Sequence, residues 1–269
     1  MKILFVEPPK RFWFVMGEYL PPPLGILELA AYVESKMPDT EIEVLDCQAS
    51  RLEWDGLERH IESTNPDIVA SSSLSTCNAY TTARTLATAK KVNPSILTVA
   101  GGQHFTATAD ESLRAYPEID VIIRGEGELT LVDLAGAVKR SGSFADIEGI
   151  SHQSRGRVFH NPERQLIANL DELPMPAYHL VEDHARKYHF TMMTGPKRSM
   201  RLWRDREAAH TVVRSARSGS IGEVPIGGNR RNESLTSLSS STGISERSFS
   251  GLQMTISRWA RQQAHSATR

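Results

Sequence analysis

The first 140 residues repeat one pattern five times: a short apolar run, a loop, then a helix-forming stretch. Nothing else in the chain limits its fold as much. The runs are 2–6 (KILFV), 41–46 (EIEVLD), 67–71 (DIVAS), 95–100 (SILTVA) and 119–123 (IDVII). The stretches 24–36, 51–63, 78–92, 107–115 and 128–140 have helical composition. In 24–36, Leu24, Leu27 and Ala31 share one face and Ile26, Ala30 and Val33 lie beside it, as in a largely buried helix. Strands that alternate with helices run parallel, through right-handed crossovers, and both faces of the sheet are covered. The expected fold is therefore α/β: a Rossmann-like, doubly wound, parallel five-stranded sheet over residues 1–140.

Ligands of such sheets bind outside the carboxyl ends of the strands, near the point where strand order reverses. Four loops fall on that edge: Pro8 and Pro9; Ser71 through Ser72, Ser73, Leu74, Ser75 and Thr76; Gly101 and Gly102 with His104 and Thr106; and Gly125, Glu126 and Gly127. Each loop also has a purely structural reading. Glycine permits a turn at positive φ, serine caps a helix, and a histidine after a glycine pair most often only hydrogen-bonds its loop. GEGE at 125–128 lacks the third glycine of a dinucleotide fingerprint, and GxxxxGK[ST] is absent. Nicotinamide and P-loop nucleotide binding are thereby disfavoured.

Two cysteines, Cys47 and Cys77, are too few for a disulfide scaffold or a cysteine-held cluster within one chain. Both read as small semi-buried residues. No apolar run is long enough to span a membrane, and MKILFVEPPK reads as a first strand and not a signal peptide. The expected compartment is the cytoplasm. Residues 141–197 suggest a hairpin around Arg155 and Gly156, then LDELPMPAY as an extended linker stiffened by proline. His179, His184 and His189 recur every fifth residue, which does not suit a helical metal pair.

The segments PPLGILELAAYVE, GGQHFTATADESL, RGEGE and LDELPMPAY, in this order, carry a specific resemblance. Residues 1 to about 190 resemble the cobalamin-binding domain of the cobalamin-dependent radical S-adenosylmethionine family, which includes enzymes like the anaerobic magnesium-protoporphyrin monomethyl ester cyclase. The resemblance implies cobalamin as cofactor, with the corrin across the carboxyl edge of the sheet against Pro8, Pro9, Ser72–Thr76, Gly101–Thr106 and Gly125–Gly127. It also implies a following radical domain whose CxxxCxxC motif holds a [4Fe–4S] cluster that binds S-adenosylmethionine. The DxHxxG signature of mutase-type cobalamin domains is absent, so the lower cobalt face is expected to lack a protein imidazole. No cysteine follows Cys77, so this chain cannot build the cluster and is expected to be inactive alone, with no catalytic residues of its own.

The composition breaks where that motif is expected. Residues 198–269 contain 12 Arg, no Lys, 14 Ser and 5 acidic residues, a net charge of +7 against −8 for the rest. Read two nucleotides out of frame, codons for the sequence from Arg198 onward can encode KYALVEGSRGCPHRCSFCSQWKYWGS, which contains the missing motif. The expectation is a truncated or frameshifted fragment: a domain at 1–140, a hairpin and linker at 141–197, and an aberrant, disordered tail at 198–269. On this reading the basic tail is not a nucleic-acid site. The rival is a stand-alone regulatory module that binds cobalamin or another small ligand and carries a true basic tail.

Overall fold

Strand β1 (Lys2–Glu7) shows why the chain folds around it. Ile3 and Phe5 point to one face of the sheet and Leu4 and Val6 to the other, and all four are buried. A strand apolar on both faces belongs in the middle of a doubly covered sheet. The structure is a computed structural model that describes residues 1–10, 19–154, 156–190 and 198–199.

After β1 come β2 (Tyr19–Leu20), α1 (Leu24–Lys36), β3 (Glu41–Asp46), α2 (Cys47–Ser50), α3 (Trp54–Thr64), β4 (Ile68–Ser72) and α4 (Thr76–Val92). The chain continues through β5 (Leu97–Gly101), α5 (Gln103–Ala107), α6 (Ala109–Ala115), β6 (Val121–Ile123), α7 (Glu128–Lys139), β7 (Ile150–Ser154) and β8 (Arg157–His160). Two 3-10 segments, Leu170–Glu172 and Tyr178–His184, precede β9 (His189–Phe190) and β10 (Arg198–Ser199).

The main sheet has the order β3-β1-β4-β5-β6-β7-β8. Its first five strands are parallel, and β7 and β8 add antiparallel to β6. Counting only the parallel strands in chain order gives 2-1-3-4-5, so the order reverses between β1 and β4. One core layer packs Ile3 and Phe5 with Ile26, Leu27, Val33, Leu131 and Leu134 of α1 and α7. The other packs Leu4 and Val6 with Leu57, Ile61, Leu86 and Leu113 of α3, α4 and α6. Each fully buried side chain of this size contributes about 1.5–3 kcal/mol.

Four local features differ from the sequence expectation. The helix expected over 51–63 starts only at Trp54, and a separate one-turn helix, α2, precedes it, nucleated by the Asp46 side chain, which accepts hydrogen bonds from the Gln48 and Ala49 N–H groups. Arg51, in a left-handed conformation, ends that turn before α3 begins. The helix expected over 107–115 breaks at Thr108, whose hydroxyl donates to the His104 carbonyl at 2.8 Å. The sheet has seven strands and not five, because the expected hairpin pairs with β6 instead of standing apart. LDELPMPAY includes a 3-10 turn and leads into a second one, and Ala177, Val181 and Tyr188 enter the core. It is therefore not a plain extended linker.

A small second sheet joins β2, β9 and β10, with Leu20 opposite His189. No helix among the described residues is long and apolar enough to cross a membrane. Apart from Arg198 and Ser199, the expected tail lies outside the described residues.

Candidate functional site

At the reversal point the crossover helices diverge to opposite faces of the sheet and leave a crevice. A cavity of about 1580 Å³ opens there. Its floor is the exit of β1, with Glu7, Pro9 and Lys10. One wall is the start of α1, with Pro23, Leu24 and Gly25. The opposite wall combines Cys47, Gln48 and Trp54 with Asn78, Tyr80 and Arg84 of α4, and His189 of β9 lines the cavity too. Pockets for drug-sized ligands hold about 300–1,000 Å³, so this one has room for something larger.

Of the residues expected to bind cofactor, Pro9, Ser72 and Leu74 line this cavity. Leu74 is 83% exposed, an apolar side chain held at the rim. Pro8 is buried beside Pro9. Ser73 is buried, its hydroxyl donating to the Ser75 carbonyl at 2.8 Å, while Ser75 and Thr76 are exposed at the start of α4.

The other expected loops lie beside the cavity along the same edge and are tied to one another. Ser73 N–H donates to the Gly101 carbonyl at 2.9 Å, and His104 N–H to the Ser73 carbonyl at 3.3 Å. Gly102 has φ +91°, and a Cβ there would lie 2.5 Å from the Ser73 carbonyl oxygen. Only glycine lets the two loops approach this closely. The Gly125 N–H donates to the Thr106 hydroxyl at 3.1 Å. Glu126 accepts from the Ile167 N–H at 2.7 Å, and Gly127 makes room for Leu29 of α1. His104 is partly buried, edge-on to Phe105. The three loops thus form one braced rim.

The reading of sequence missed Glu7, Gln48, Trp54, Arg84 and Gly25. Arg84 stacks over the Trp54 ring at 4.1 Å, a pairing across 30 positions that no local pattern displays. Gly25 sits in the first turn of α1, and a Cβ there would meet nothing within 4 Å. That open space on a cavity wall is room a ligand could fill, and PPPLGI contained its only signal.

The electrostatics centre on two acids in register at the ends of β1 and β3, Glu7 and Asp46. Burial raises the Glu7 pKa, Lys10 opposes that shift, Asp46 adds to it, and a hydrogen bond from Gln48 offsets part. Burial, then the charges of Asp46 and Glu7, push the Cys47 thiol up to about 12. Cys47 is thus an inert, fully buried thiol, whereas Cys77 is exposed and not semi-buried as expected. Tyr188, buried, donates to Asp46 at 3.0 Å, and its own pKa is raised by burial and by that carboxylate.

The three late histidines scatter. His179 meets Glu34 at 3.0 Å, His184 meets Ser50 at 2.9 Å, and His189 Nδ1 lies 2.7 Å from the Lys187 carbonyl. The β1 exit, Glu7-Pro8-Pro9-Lys10, carries no imidazole. Among the described residues no group of three or more His, Cys, Asp or Glu side chains could hold a metal ion.

Comparison with known proteins decides what kind of domain this is. Residues 16–135 match the family model of the B12 binding domain. That match takes in 120 of the 269 residues. An uncharacterized methyltransferase of Pyrococcus horikoshii is 36% identical over 188 residues, covering 67% of this chain and 39% of that protein. The anaerobic magnesium-protoporphyrin IX monomethyl ester cyclase of Rubrivivax gelatinosus is 33% identical over 179 residues, covering 64% of this chain and 32% of the cyclase. The chain therefore spans only about a third of the length of the relatives it matches.

The fold recurs in solved structures. OxsB, a cobalamin-dependent S-adenosylmethionine radical enzyme with aqua-cobalamin and S-adenosylmethionine bound, superposes with a TM-score of 0.54 at 20% identity. That match covers 68% of this chain and 25% of OxsB. TsrM of Kitasatospora setae, a radical S-adenosylmethionine methyltransferase with cobalamin and a [4Fe-4S] cluster bound, superposes with a TM-score of 0.51 at 19% identity. It covers 65% of this chain and 31% of TsrM.

Proposed function

We propose that this chain holds cobalamin across the carboxyl edge of its sheet, as the cofactor-carrying part of a radical S-adenosylmethionine enzyme. One observation carries the reading: the B12-binding family match falls on a domain whose order-reversal point opens a cavity of about 1580 Å³. The donor set suits a corrinoid. Its rim of carboxamides needs both hydrogen-bond donors and acceptors, which Glu7, Lys10, Gln48, Ser72 and Asn78 supply around the cavity. Its flat apolar face suits Leu74 and the open side of Gly25.

In this reading Pro8, Pro9 and Ser72–Thr76 form the floor and near rim, and Gly101, Gly102, His104, Thr106, Gly125, Glu126 and Gly127 form the braced far rim. A bound corrinoid supplies transfer of carbon groups through cobalt. The residues of this chain bind and orient it. The parent enzyme adds a [4Fe–4S] cluster and S-adenosylmethionine, for methyl transfer or ring-forming chemistry. Those parts are not supplied by Cys47 or Cys77, the first of which is buried and inert.

Titration of the purified chain with hydroxocobalamin, followed by its absorbance spectrum, tests the proposal. The expected result is saturable binding of one corrinoid per chain, with a base-off spectrum. A folded chain that leaves the spectrum of free cobalamin unchanged overturns it.

A further inference from the structure

Two acids end adjacent strands, Glu7 at the cavity floor and Asp46 beside it, and their surroundings divide their labour. Asp46 is committed inward. Its Oδ1 accepts from the Gln48 and Ala49 N–H groups at 2.9 Å each, and its Oδ2 accepts from the Tyr188 hydroxyl at 3.0 Å. Glu7 is committed on one oxygen only. Lys10 Nζ and Gln48 Nε2, the latter at 3.2 Å, both donate to Oε1. Among the described residues no donor reaches Oε2.

The Glu7 side chain is 17% exposed and lines the cavity. A carboxylate so largely buried is stabilised when its remaining lone pairs are met. Lys10 and Gln48 fix the rotation of the carboxyl group, so Oε2 is a directed acceptor and not a freely turning one. A primary carboxamide N–H is the donor that the rim of a corrinoid presents.

We propose that Glu7 is a cofactor-binding residue, whose Oε2 accepts a hydrogen bond from a carboxamide on the rim of the bound corrinoid and sets the ring's orientation in the cavity. The inference rests on the cobalamin reading of this cavity. The charged and titratable groups around Glu7 are Lys10 from the β1 exit, Asp46 from β3, Cys47 from α2 and Tyr188 beyond Asp46. Cys47 and Tyr188, both with raised pKa values, stay neutral near pH 7. Burial raises the Glu7 pKa and Lys10 opposes it. Only the ionised carboxylate is an acceptor on both oxygens. Corrinoid affinity therefore falls as pH drops through the raised Glu7 value.

The test is hydroxocobalamin titration of the full-length chain, its Glu7→Ala variant and its Glu7→Gln variant, between pH 5 and pH 7.5. Circular dichroism confirms that each is folded. Glu7→Ala is expected to weaken binding by about tenfold at pH 7.5, the loss of one charge-assisted hydrogen bond. Glu7→Gln keeps its amide oxygen on Lys10 and Gln48 and turns an NH2 group, which cannot accept, towards the corrinoid; it is expected to bind as weakly as Glu7→Ala and to lose the acid-dependent decline of the wild type. If Glu7→Ala fails to fold, the pH profile of Glu7→Gln decides the matter. Wild-type binding with unchanged affinity in Glu7→Ala, or an unaltered pH profile in Glu7→Gln, overturns this inference alone. A folded wild type that takes no cobalamin overturns both it and the reading on which it rests.

Discussion

Gly25 is a residue at which stability and cofactor space can be pulled apart. It lies in the first turn of α1 with open space where a Cβ would be, and it has a helical φ. A side chain there clashes with nothing in the protein, and alanine is the better helix former. Gly25→Ala is therefore expected to keep or slightly raise the melting temperature. Gly25→Trp should also fold, but its indole would occupy the cavity wall and reduce hydroxocobalamin affinity by more than about tenfold, or about 1.4 kcal/mol. Thermal unfolding and cobalamin titration of both variants check this. Loss of folding in Gly25→Trp would show that the space is not open. Gly25 and Glu7 were both hard to see in sequence, for opposite reasons. A glycine facing empty space leaves no periodic signal, and an acid at a strand end looks like ordinary surface until its neighbours prove to be Lys10 and Gln48.

At the scale of elements, the loops after β4 and β5 behave as one unit because their backbones touch. The positive φ of Gly102 costs about 1–2 kcal/mol for any other L-residue, and a Cβ would also lie 2.5 Å from the Ser73 carbonyl. Gly102→Ala is thus expected to destabilise the chain by about 2 kcal/mol or more and to loosen the rim that Ser73, His104 and Thr106 brace. Urea unfolding measures the first effect, and faster amide exchange at Ser73 and His104 reports the second. A variant as stable as wild type would show that the loops can separate. The five parallel strands were legible because burial on both faces leaves near-continuous apolar runs such as KILFV and IDVII. The breaks were not. Asp46 capping α2 and Thr108 interrupting α5–α6 are side-chain-to-backbone bonds that compete locally with helix, and composition carries little trace of them. The hairpin was visible as a hairpin, but its pairing with β6 depends on a strand edge distant in sequence, where Ile123 meets Ile150.

For the molecule as a whole, the question is what residues 141–190 contribute to the domain before them. The strand–helix pattern ends near residue 140, and sequence alone makes that the natural boundary. The packing does not stop there. Ile147, Ile150, Ala177, Val181 and Tyr188 are buried in the core layer that holds Ile3, Phe5 and α1, and β7 covers the edge of β6. The Ala177 N–H donates to the Leu27 carbonyl at 3.0 Å, and Tyr188 reaches Asp46. At about 1.5–3 kcal/mol for each large buried side chain, their loss would remove several kcal/mol. The net stability of a domain is about 5–15 kcal/mol, so that loss is decisive. A chain cut after residue 140 is therefore expected to unfold or to melt far below one cut after residue 190, and to bind cobalamin poorly. The longer fragment should melt cooperatively and gain stability on adding cobalamin, because a ligand that binds only the folded state shifts the equilibrium towards it. Thermal melts of the two fragments, with and without hydroxocobalamin, decide the point. Equal melting temperatures would make 141–190 an appendage that packs on the domain without supporting it.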